Sequence, residues 1–284
     1  MILVMSLLVK NEVDVIRENI EYHRKMGVDH FLVIDNASTD GTTDILDEYR
    51  QKDYLDYRVE RGPYSQGEWV TGLARWAFCD FNADWIINND ADEFWWCDCA
   101  NLKIEFALYS KNIQKITARR HNMLPSVSSA SSPFYKRMIK RRKVSLNSAG
   151  NVLPYKVAGR GAVDIVVHAG SHDITYSNHA ASTLSGFEIF HYPYRSHEQL
   201  VSKVINIGQG YARNPQIDPK TGSQNGRAMR SLYAEYLKDP MSLKRFYEGQ
   251  IFTNAGADQE QNPIVEDLRM CNAISSVMNL NESI

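Results

Sequence analysis

The feature that most constrains the fold is the alternation of short apolar runs with amphipathic segments in the first third of the chain. Ile2–Val9 is almost continuously apolar, a pattern typical of a strand buried on both faces. Further strands are predicted at His30–Ile34, Leu55–Glu60 and Trp85–Asn88. The segments between these runs have helical periodicity and lie at Glu12–Met26, Asp44–Lys52 and Glu68–Phe81. We therefore expect an α/β fold with a mainly parallel, Rossmann-like sheet flanked by helices.

The rest of the chain changes character at about residue 195. Ile113–Ala118 predicts one more strand, whereas helices are predicted at 197–213, 226–238 and 240–250. A chain of 284 residues is long enough for one large domain with an extension. We predict an α/β domain over residues 1–195 and a helical C-terminal extension over 196–284 that packs on it.

Composition excludes several classes of protein. Hydrophobic residues make up 43% and charged residues 23%, as in soluble globular proteins, so a disordered chain is not expected. The net charge of -2 lacks the basic excess of duplex-DNA-binding proteins, so no nucleic acid partner is expected. No run reaches the roughly 18 apolar residues of a membrane span. The 4 cysteines lack the spacing of a zinc site, which favours reduced thiols in a cytoplasmic protein.

Two carboxylates follow the strand predicted at Trp85–Asn88. Asp90 and Asp92 stand at positions i and i+2, so on extended backbone both side chains point to the same side. At the carboxyl end of a parallel strand they face the crevice where open α/β sheets bind ligands. Adjacent carboxylates repel unless a cation compensates them, and a divalent ion with phosphate oxygens in its shell suits such a pair. The alternative interpretation is a solvated acidic turn.

A second acidic segment, Val33–Thr42, begins at the end of the second predicted strand. Asp35 lies where its carboxylate can accept a hydrogen bond from a base N–H or a ribose hydroxyl. The segment Asn36–Asp47 also approximates the spacing of a calcium-binding loop. An EF-hand needs a helix before that loop, and here a strand precedes it, so calcium binding is not expected.

Three segments together resemble the nucleotide-diphospho-sugar transferases of the GT-A fold, in particular the family 2-like glycosyltransferases. They are Leu7–Glu12, Val33–Thr42 and Asp90–Phe94, and the last carries a D-x-D motif. Their order and spacing match the family over about residues 1–100, and Phe190–Gln199 is similar to the closing motif of a bacterial and viral branch. The resemblance implies transfer of a sugar from a nucleotide-diphosphate donor, by default a UDP-sugar, to a hydroxyl of a glycan or lipid-linked glycan acceptor.

The resemblance also implies roles for individual residues. The end of the first strand would border the nucleotide base, Asp35 would bind that base, and Asp90 would lie near the ribose or sugar. The implied donor-binding residues are Val9, Asn11, Glu12, Asp35, Asp90 and Ala91.

A divalent cation, Mn2+ or Mg2+, is the cofactor that the resemblance implies. Its ligands would be Asp90, Asp92 and His191, and an imidazole among carboxylates favours manganese. A hydrogen-bonded core histidine is the alternative for His191. Arg195 and Lys203 would neutralise the diphosphate, or else are ordinary charges on a helix face.

Family 2-like enzymes invert the anomeric carbon and carry a catalytic base well downstream of the D-x-D motif. The candidates here are Asp173 and Glu188, which would remove the acceptor proton. The downstream Glu-Asp pair usual in the family is absent from this sequence, so the resemblance does not choose between the two.

The sequence leaves two other functions as alternatives. A nucleotidyltransferase that makes a sugar nucleotide would need a glycine-rich phosphate loop after the first strand, and Val9–Glu12 contains no glycine. A non-catalytic carbohydrate-binding protein would not need the intact Asp90 and Asp92. The basic stretch Lys136–Lys143 predicts a solvated strand face, or a surface for an anionic acceptor or phospholipid headgroups. Contact with a membrane is thus expected to be at most peripheral, at the inner face of that membrane.

Overall fold

The computed structural model describes residues 1–62, 64–126, 132–147, 150–178, 181–212, 227–252 and 262–281. The strands in this part of the chain are β1 (Leu3–Val9), β2 (His30–Asp35), β3 (Leu55–Val59), β4 (Trp85–Asp90), β5 (Glu93–Trp96), β6 (Ile113–Asn122), β7 (Lys140–Arg142), β8 (Lys156–Arg160), β9 (Val166–Val167), β10 (Ile174–Thr175), β11 (Ala181–His191) and β12 (Ile264–Glu266). The helices are α1 (Ile16–Lys25), α2 (Thr42–Gln51), α3 (Gln66–Phe81), α4 (Leu102–Ala107), α5 (Phe134–Arg137), α6 (His197–Ala212), α7 (Arg227–Lys238), α8 (Ser242–Phe252) and α9 (Arg269–Asn281).

A mainly parallel sheet of eight strands, in the order β3-β2-β1-β4-β8-β6-β11-β5, organises the fold. β1 pairs in parallel with β2 and with β4. The register places Val9 beside Asp35 and Leu8 beside Asp90. The three segments singled out in the sequence therefore end side by side at one edge of the sheet. The predicted α/β fold is confirmed.

The D-x-D segment joins two strands that are far apart in the strand order. Only Ala91 and Asp92 separate β4 from β5, yet three strands lie between these two strands in the sheet. In a flat sheet, four strand spacings would place them about 19 Å apart. Three Cα–Cα steps reach only about 11 Å. The sheet must therefore curl, and the D-x-D turn spans the opening at its carboxyl edge.

Both faces of the sheet are covered, as the continuous apolar runs predict. Along β1, Leu3, Met5 and Leu7 belong to the core cluster beneath α1, α2 and α9. Val4 belongs to the cluster beneath α3. Successive side chains on a strand point to opposite faces, so one apolar strand fills both layers.

The helices α6, α7 and α8 pack around a small core of their own, which includes Leu200, Leu232 and Leu243. Gly208 lets α6 and α7 approach closely, because a Cβ atom there would lie 2.1 Å from the ring of Tyr233. The C-terminal helix α9 returns to the main core beside α1. In the described part of the chain, no helix combines the length and apolarity needed to cross a membrane. The boundary at residue 195 stays a prediction.

Candidate active site

A large cavity of about 1360 Å3 lies between the carboxyl edge of the sheet and the helices α6, α7 and α8. Seven of the residues singled out in the sequence line it, and they are Val9, Asn11, Glu12, Asp90, Ala91, Asp92 and His191. The helices contribute further lining residues, among them Lys203, Tyr211, Met229, Glu235 and Phe246. The cavity exceeds the size of usual small-molecule pockets, so it has room for a nucleotide sugar and part of a second substrate.

The loops that follow β1 and β2 are clasped together by side-chain hydrogen bonds. The backbone N–H of Asn11 donates to Ser38 Oγ over 2.9 Å, and Asn11 Oδ1 accepts from the N–H of Thr39 over 2.8 Å. The N–H of Glu12 donates to Thr42 Oγ1 over 2.9 Å. Asn11 has a φ of 54°, a left-handed conformation that asparagine tolerates better than most residues. Much of the motif in residues 33–42 therefore serves to fix one wall of the cavity.

Asp35, which the sequence predicts to bind the nucleotide, forms hydrogen bonds within its own loop. Its Oδ1 accepts from both the N–H and the hydroxyl of Ser38, and its Oδ2 accepts from the hydroxyl of Thr43. The side chain is buried and does not line the cavity, whereas its neighbours Asn36 and Ala37 do. A direct contact between Asp35 and the nucleotide base stays a prediction. The hydrogen bonds with Ser38 and Thr43 give Asp35 the role of shaping the loop.

Asp92 is a buried carboxylate that faces three cationic or basic groups. Its Oδ2 lies 2.5 Å from Lys203 Nζ, 3.5 Å from His191 Nε2 and 3.6 Å from an Arg195 guanidinium nitrogen. Burial alone would raise the pKa of the Asp92 carboxyl, but these charges outweigh it and hold that pKa well below its usual range. Asp92 is therefore ionised, and Lys203 on α6 ties the helical layer to the D-x-D turn.

His191 is oriented as a metal-binding histidine would be. Its Nδ1 lies 2.7 Å from Asn122 Oδ1, which can only accept, so Nδ1 carries a proton, and Nε2, which faces Asp92, is the nitrogen that would offer a lone pair to a bound cation. Neighbouring ligand atoms of one octahedral cation lie about 3 Å apart. The separation of 3.5 Å between His191 Nε2 and Asp92 Oδ2 is close to that value. These two side chains therefore fit a divalent cation whose remaining ligands come from substrate phosphate and water.

The predicted set of three metal ligands is not assembled. Within the described ranges, no three His, Cys, Asp or Glu side chains are grouped so that they could hold a metal ion. Asp90 Oδ2 instead accepts from Lys156 Nζ over 2.6 Å, and this ammonium lies 3.1 Å from Glu93 Oε2. Burial by itself would lower the pKa of Lys156, but the two carboxylates raise it, so Lys156 stays charged. Asp90 thus lines the cavity as half of an ion pair.

Lys156 is a site residue that the sequence analysis missed. It is 1% exposed and lies at the start of β8, a short strand that the sequence analysis did not predict. Arg120 on β6, also missed, lines the cavity and lies 3.1 Å from Glu93 Oε1. A lone lysine beside valine carries no sequence signal, because its partners are more than 60 residues away along the chain.

Arg195 is the buried centre of a second ionic cluster in the site. Its guanidinium donates to Glu12 Oε2 over 2.6 Å and to both Asp14 oxygens over 2.7 and 2.8 Å. Arg137 in turn donates to the carbonyl of Arg195. Burial raises the pKa of Glu12 to about 7, against the lowering effect of the Arg195 charge. Arg195 therefore holds the Glu12 loop against the D-x-D turn and is not an ordinary helix-face charge.

The two predicted bases lie away from the cavity. Asp173 is 56% exposed at its side chain and pairs with Lys115 over 2.8 Å. Glu188 pairs with Arg269 over 2.6 Å and with His121 over 2.7 Å. Neither residue lines the cavity, so the structure does not bring them to the other candidate residues. The contacts of Glu188 anchor α9 to the sheet.

Glu188→Gln is expected to reduce stability and leave the chemistry intact. The hydrogen bond from His121 and the pairing with Arg269 lower the pKa of Glu188 to about 2. This stabilisation is present above the ordinary value of 4.5 and is lost as the pH falls through about 2. The variant should be less stable by roughly 1–3 kcal/mol at pH 7, and urea unfolding near pH 3 should show a smaller difference.

Asp173→Asn is the matched control, because this exposed carboxylate should contribute little to stability. Transfer activity should stay within about threefold of wild type in both variants, since neither residue reaches the cavity. A loss of roughly 10²–10⁴-fold in either variant would restore that residue as the base.

The basic stretch Lys136–Lys143 is largely engaged within the protein. Arg137 contacts Arg195, Arg141 donates to Asp267 Oδ2 over 2.8 Å, and Arg142 donates to the carbonyl of Asn262 over 3.0 Å. The stretch divides between α5 and β7 and does not form one solvated strand face. Its arginines therefore brace the segment that leads into α9.

The curled, mainly parallel α/β sheet agrees with the GT-A-like fold predicted from the sequence. Residues 4–119, which hold most of β1, all of β2 to β5 and the D-x-D turn, match the model of glycosyltransferase family 92. The match spans 116 of the 284 residues and supports a glycosyltransferase of this class. No curated protein matches the chain in sequence.

Solved structures similar to the chain include those of TarS from S. aureus. TarS 1–349 superposes with a TM-score of 0.45 and 13% identity over 92% of this chain and 77% of that chain. Its complex with UDP gives 0.42 and 15% over the same shares. Its complex with UDP-GlcNAc gives 0.44 and 14% over 98% of this chain and 80% of that chain. At these values the similarity carries no residue-by-residue correspondence.

Proposed function

We propose that this chain transfers a sugar, with a divalent cation, from a nucleotide-diphosphate donor to a hydroxyl of a glycan or lipid-linked glycan acceptor. The observation that carries the proposal is the meeting of Asp92, His191 and Lys203 on one wall of the large cavity. A carboxylate and an imidazole suit a cation, and the ammonium suits a phosphate. A UDP-sugar is the default donor, and UDP and UDP-GlcNAc, which the TarS structures contain, are the first ligands to test.

The clasped loops would receive the nucleotide. Val9, Asn11 and Asn36 line the cavity at the ends of β1 and β2, where open α/β sheets bind nucleotides. Their backbone is fixed by the hydrogen bonds between the two loops, so little conformational entropy remains to be lost on binding.

The diphosphate would lie beside Asp92, where the positive charges converge. A divalent cation held by Asp92 and His191 would supply Lewis-acid stabilisation of the leaving group. Lys203 would then give up its contact with Asp92 and pair with a phosphate oxygen, because two cations repel each other at one carboxylate. Arg195 keeps its contacts with Glu12 and Asp14 and holds the wall in place.

The acceptor hydroxyl must lose its proton to a group that lines the cavity. In the described part of the chain, the acidic residues that do so are Glu12, Asp90, Asp92 and Glu235. Burial brings the pKa of Glu12 to about 7, a value that suits proton exchange near neutral pH. We propose direct displacement with inversion, and NMR of the product anomer is the measurement that checks it.

The competing functions have less support. A nucleotidyltransferase would need flexible glycine backbone to cradle phosphates after β1, and here Asn11 is locked in place by Ser38 and Thr39. A non-catalytic carbohydrate-binding protein would not require a buried Asp92 that faces Lys203 and Arg195 inside a cavity.

A panel of nucleotides and nucleotide sugars, each with and without Mn2+, tests the proposal by thermal shift and by donor hydrolysis. A nucleoside diphosphate at about 100 times its Kd should raise the Tm by roughly 4–5 °C, and only with the metal. Hydrolysis of one donor should follow the same metal requirement. Failure of every nucleotide to shift the Tm would contradict the proposal and favour the non-catalytic alternative.

A further inference from the structure

Helix α1 presents three buried polar side chains that the proposed chemistry does not use. Asn19, Tyr22 and His23 are each no more than 1% exposed. They stand at positions i, i+3 and i+4, so they lie on one face of the helix. This face packs against β5, the strand that follows the D-x-D turn.

The three side chains bond to the backbone of β5 as a neighbouring strand would. Among the strands that the structure describes, β5 is the last of the sheet and pairs only with β11. The Tyr22 hydroxyl donates to the carbonyl of Trp95 over 2.8 Å. His23 Nε2 accepts from the N–H of Trp95 over 3.0 Å. A buried strand edge needs such partners, because an unpaired backbone group away from water is costly.

Asn19 fixes the backbone on both sides of Asp92. Its side-chain amide donates to the carbonyl of Ala91 and to the carbonyl of Glu93, each over 2.9 Å. The carbonyl of Asp92 itself accepts from the N–H of Tyr192 over 2.9 Å. Three successive carbonyls are thus held, and the Asp92 carboxylate is left to point into the cavity.

A neutral His23 completes this set of contacts. Because its Nε2 accepts from Trp95, its Nδ1 carries the proton and donates to the carbonyl oxygen of Asn19 over 2.8 Å. Nδ1 also lies 3.0 Å from Asn19 Oδ1, which leaves the amide hydrogens of Asn19 directed at the turn. Burial lowers the pKa of His23 to about 3, so the ring is neutral near neutral pH.

We propose that Asn19 and His23 are positioning residues, which hold the D-x-D turn from behind so that Asp92 keeps its place in the cavity. Neither side chain lines the cavity, so each acts through the backbone of residues 91–95. The inference rests on the proposed function in one respect, namely that Asp92 serves the metal–nucleotide complex.

Asn19→Leu, which keeps the size and removes the donors, is compared with Leu46→Ala on α2. Leu46 is buried in the core cluster beneath α1 and α2 and does not line the cavity, so its truncation should destabilise the protein without altering the surroundings of Asp92. Hydrogen exchange at residues 91–96 should accelerate only in Asn19→Leu. Calorimetric affinity for UDP with Mn2+ should fall at least about tenfold in Asn19→Leu and stay within about twofold in Leu46→Ala. Equal affinities in the two variants would overturn the proposal.

His23 gives a second comparison. His23→Gln keeps an acceptor for the Trp95 N–H and should retain affinity, whereas His23→Leu should lose about tenfold. Equal losses in both would overturn the role of the acceptor. Tyr22→Phe is the variant to use if Asn19→Leu does not fold, because it removes a single hydroxyl. It should still accelerate hydrogen exchange at the backbone amides of residues 95–96. Unchanged hydrogen exchange in this variant would count against the proposal. If the wild type binds no nucleotide, the proposed function fails, while the exchange rates still decide whether α1 holds the turn.

Discussion

Asp92→Asn is expected to abolish sugar transfer, with a loss of roughly 10³-fold or more, while the chain stays folded. The amide keeps the size of the side chain and removes the charge that would hold a divalent cation beside His191. It also removes the counter-charge of Lys203, which lies 2.5 Å from Asp92 Oδ2. Donor turnover with Mn2+ is the measurement. EDTA should abolish wild-type turnover, and added Mn2+ should restore it.

The same substitution should destabilise the metal-free protein, contrary to the expectation from the sequence alone. From the sequence alone, the adjacent carboxylates of Asp90 and Asp92 are expected to repel each other, and replacing one of them by an amide would relieve this repulsion. In the structure Asp90 pairs with Lys156 and Asp92 with Lys203, so each charge is already compensated. The pKa of Asp92 is well below the ordinary 3.8, so its charge stabilises the fold above that pH and ceases to do so in acid. We expect a loss of about 1–3 kcal/mol at pH 7 that shrinks below pH 4.

Asp14→Asn is the control for this prediction. Asp14 shares Arg195 with Asp92 but does not line the cavity, so its variant should lose some stability and keep its metal-dependent turnover. Full wild-type activity in EDTA, or near-normal turnover in Asp92→Asn, would show that no metal acts at Asp92.

The parts of the fold that could be predicted are those with local signals. β1 is an almost continuous apolar run and β2 and β4 each contain a shorter one, and the bounds of all three are predicted to within two residues. The strands β8 and β11 were not predicted, because neither contains a continuous apolar run: β8 is bounded by Lys156 and Arg160, and most residues in the first half of β11 are small or polar. Sheet curling likewise follows from long-range pairing, which no local pattern encodes.

The site was predictable where polar side chains lie at the ends of predicted strands. The cavity positions of Asn11, Asp90 and Asp92 follow from polar residues placed at or after the ends of buried strands. The partners of these residues were not predictable, since Lys156 and Lys203 reach the turn only through tertiary folding. Asp35 lies at a strand end, as predicted, and its direct contact with a nucleotide base stays a prediction. Its carboxylate accepts hydrogen bonds from the N–H and hydroxyl of Ser38 and from the hydroxyl of Thr43, which are all close to it in the sequence. A loop rich in Ser and Thr after an aspartate favours such internal capping as much as ligand binding.

Arg195→Met is expected to cause the largest loss of stability, about 3–5 kcal/mol at pH 7 to 8. Methionine fills most of the space and leaves Glu12, Asp14 and Asp92 facing one another without their shared cation. Arg195→Lys should recover only part of the loss, because an ammonium cannot bridge Glu12 and both Asp14 oxygens as the planar guanidinium does. Urea unfolding with activity measured on the same samples is the test. Arg245→Met is the control, since the pair of Arg245 with Asp239 is exposed and should contribute little to stability.

The loss should depend on pH in a direction that Glu12 sets. Burial already raises the pKa of Glu12 to about 7 in the presence of Arg195, and removal of that positive charge raises it further. A carboxyl whose pKa is raised in the folded state stabilises that state while it is protonated, and this contribution disappears as the pH rises through the folded pKa. The deficit of Arg195→Met should therefore be smaller at pH 5.5 than at pH 8, because Glu12 can take up a proton in place of its lost partner. A deficit that is the same at both pH values, or larger at the lower one, would mean that Glu12 does not respond to Arg195 and that the two are not coupled.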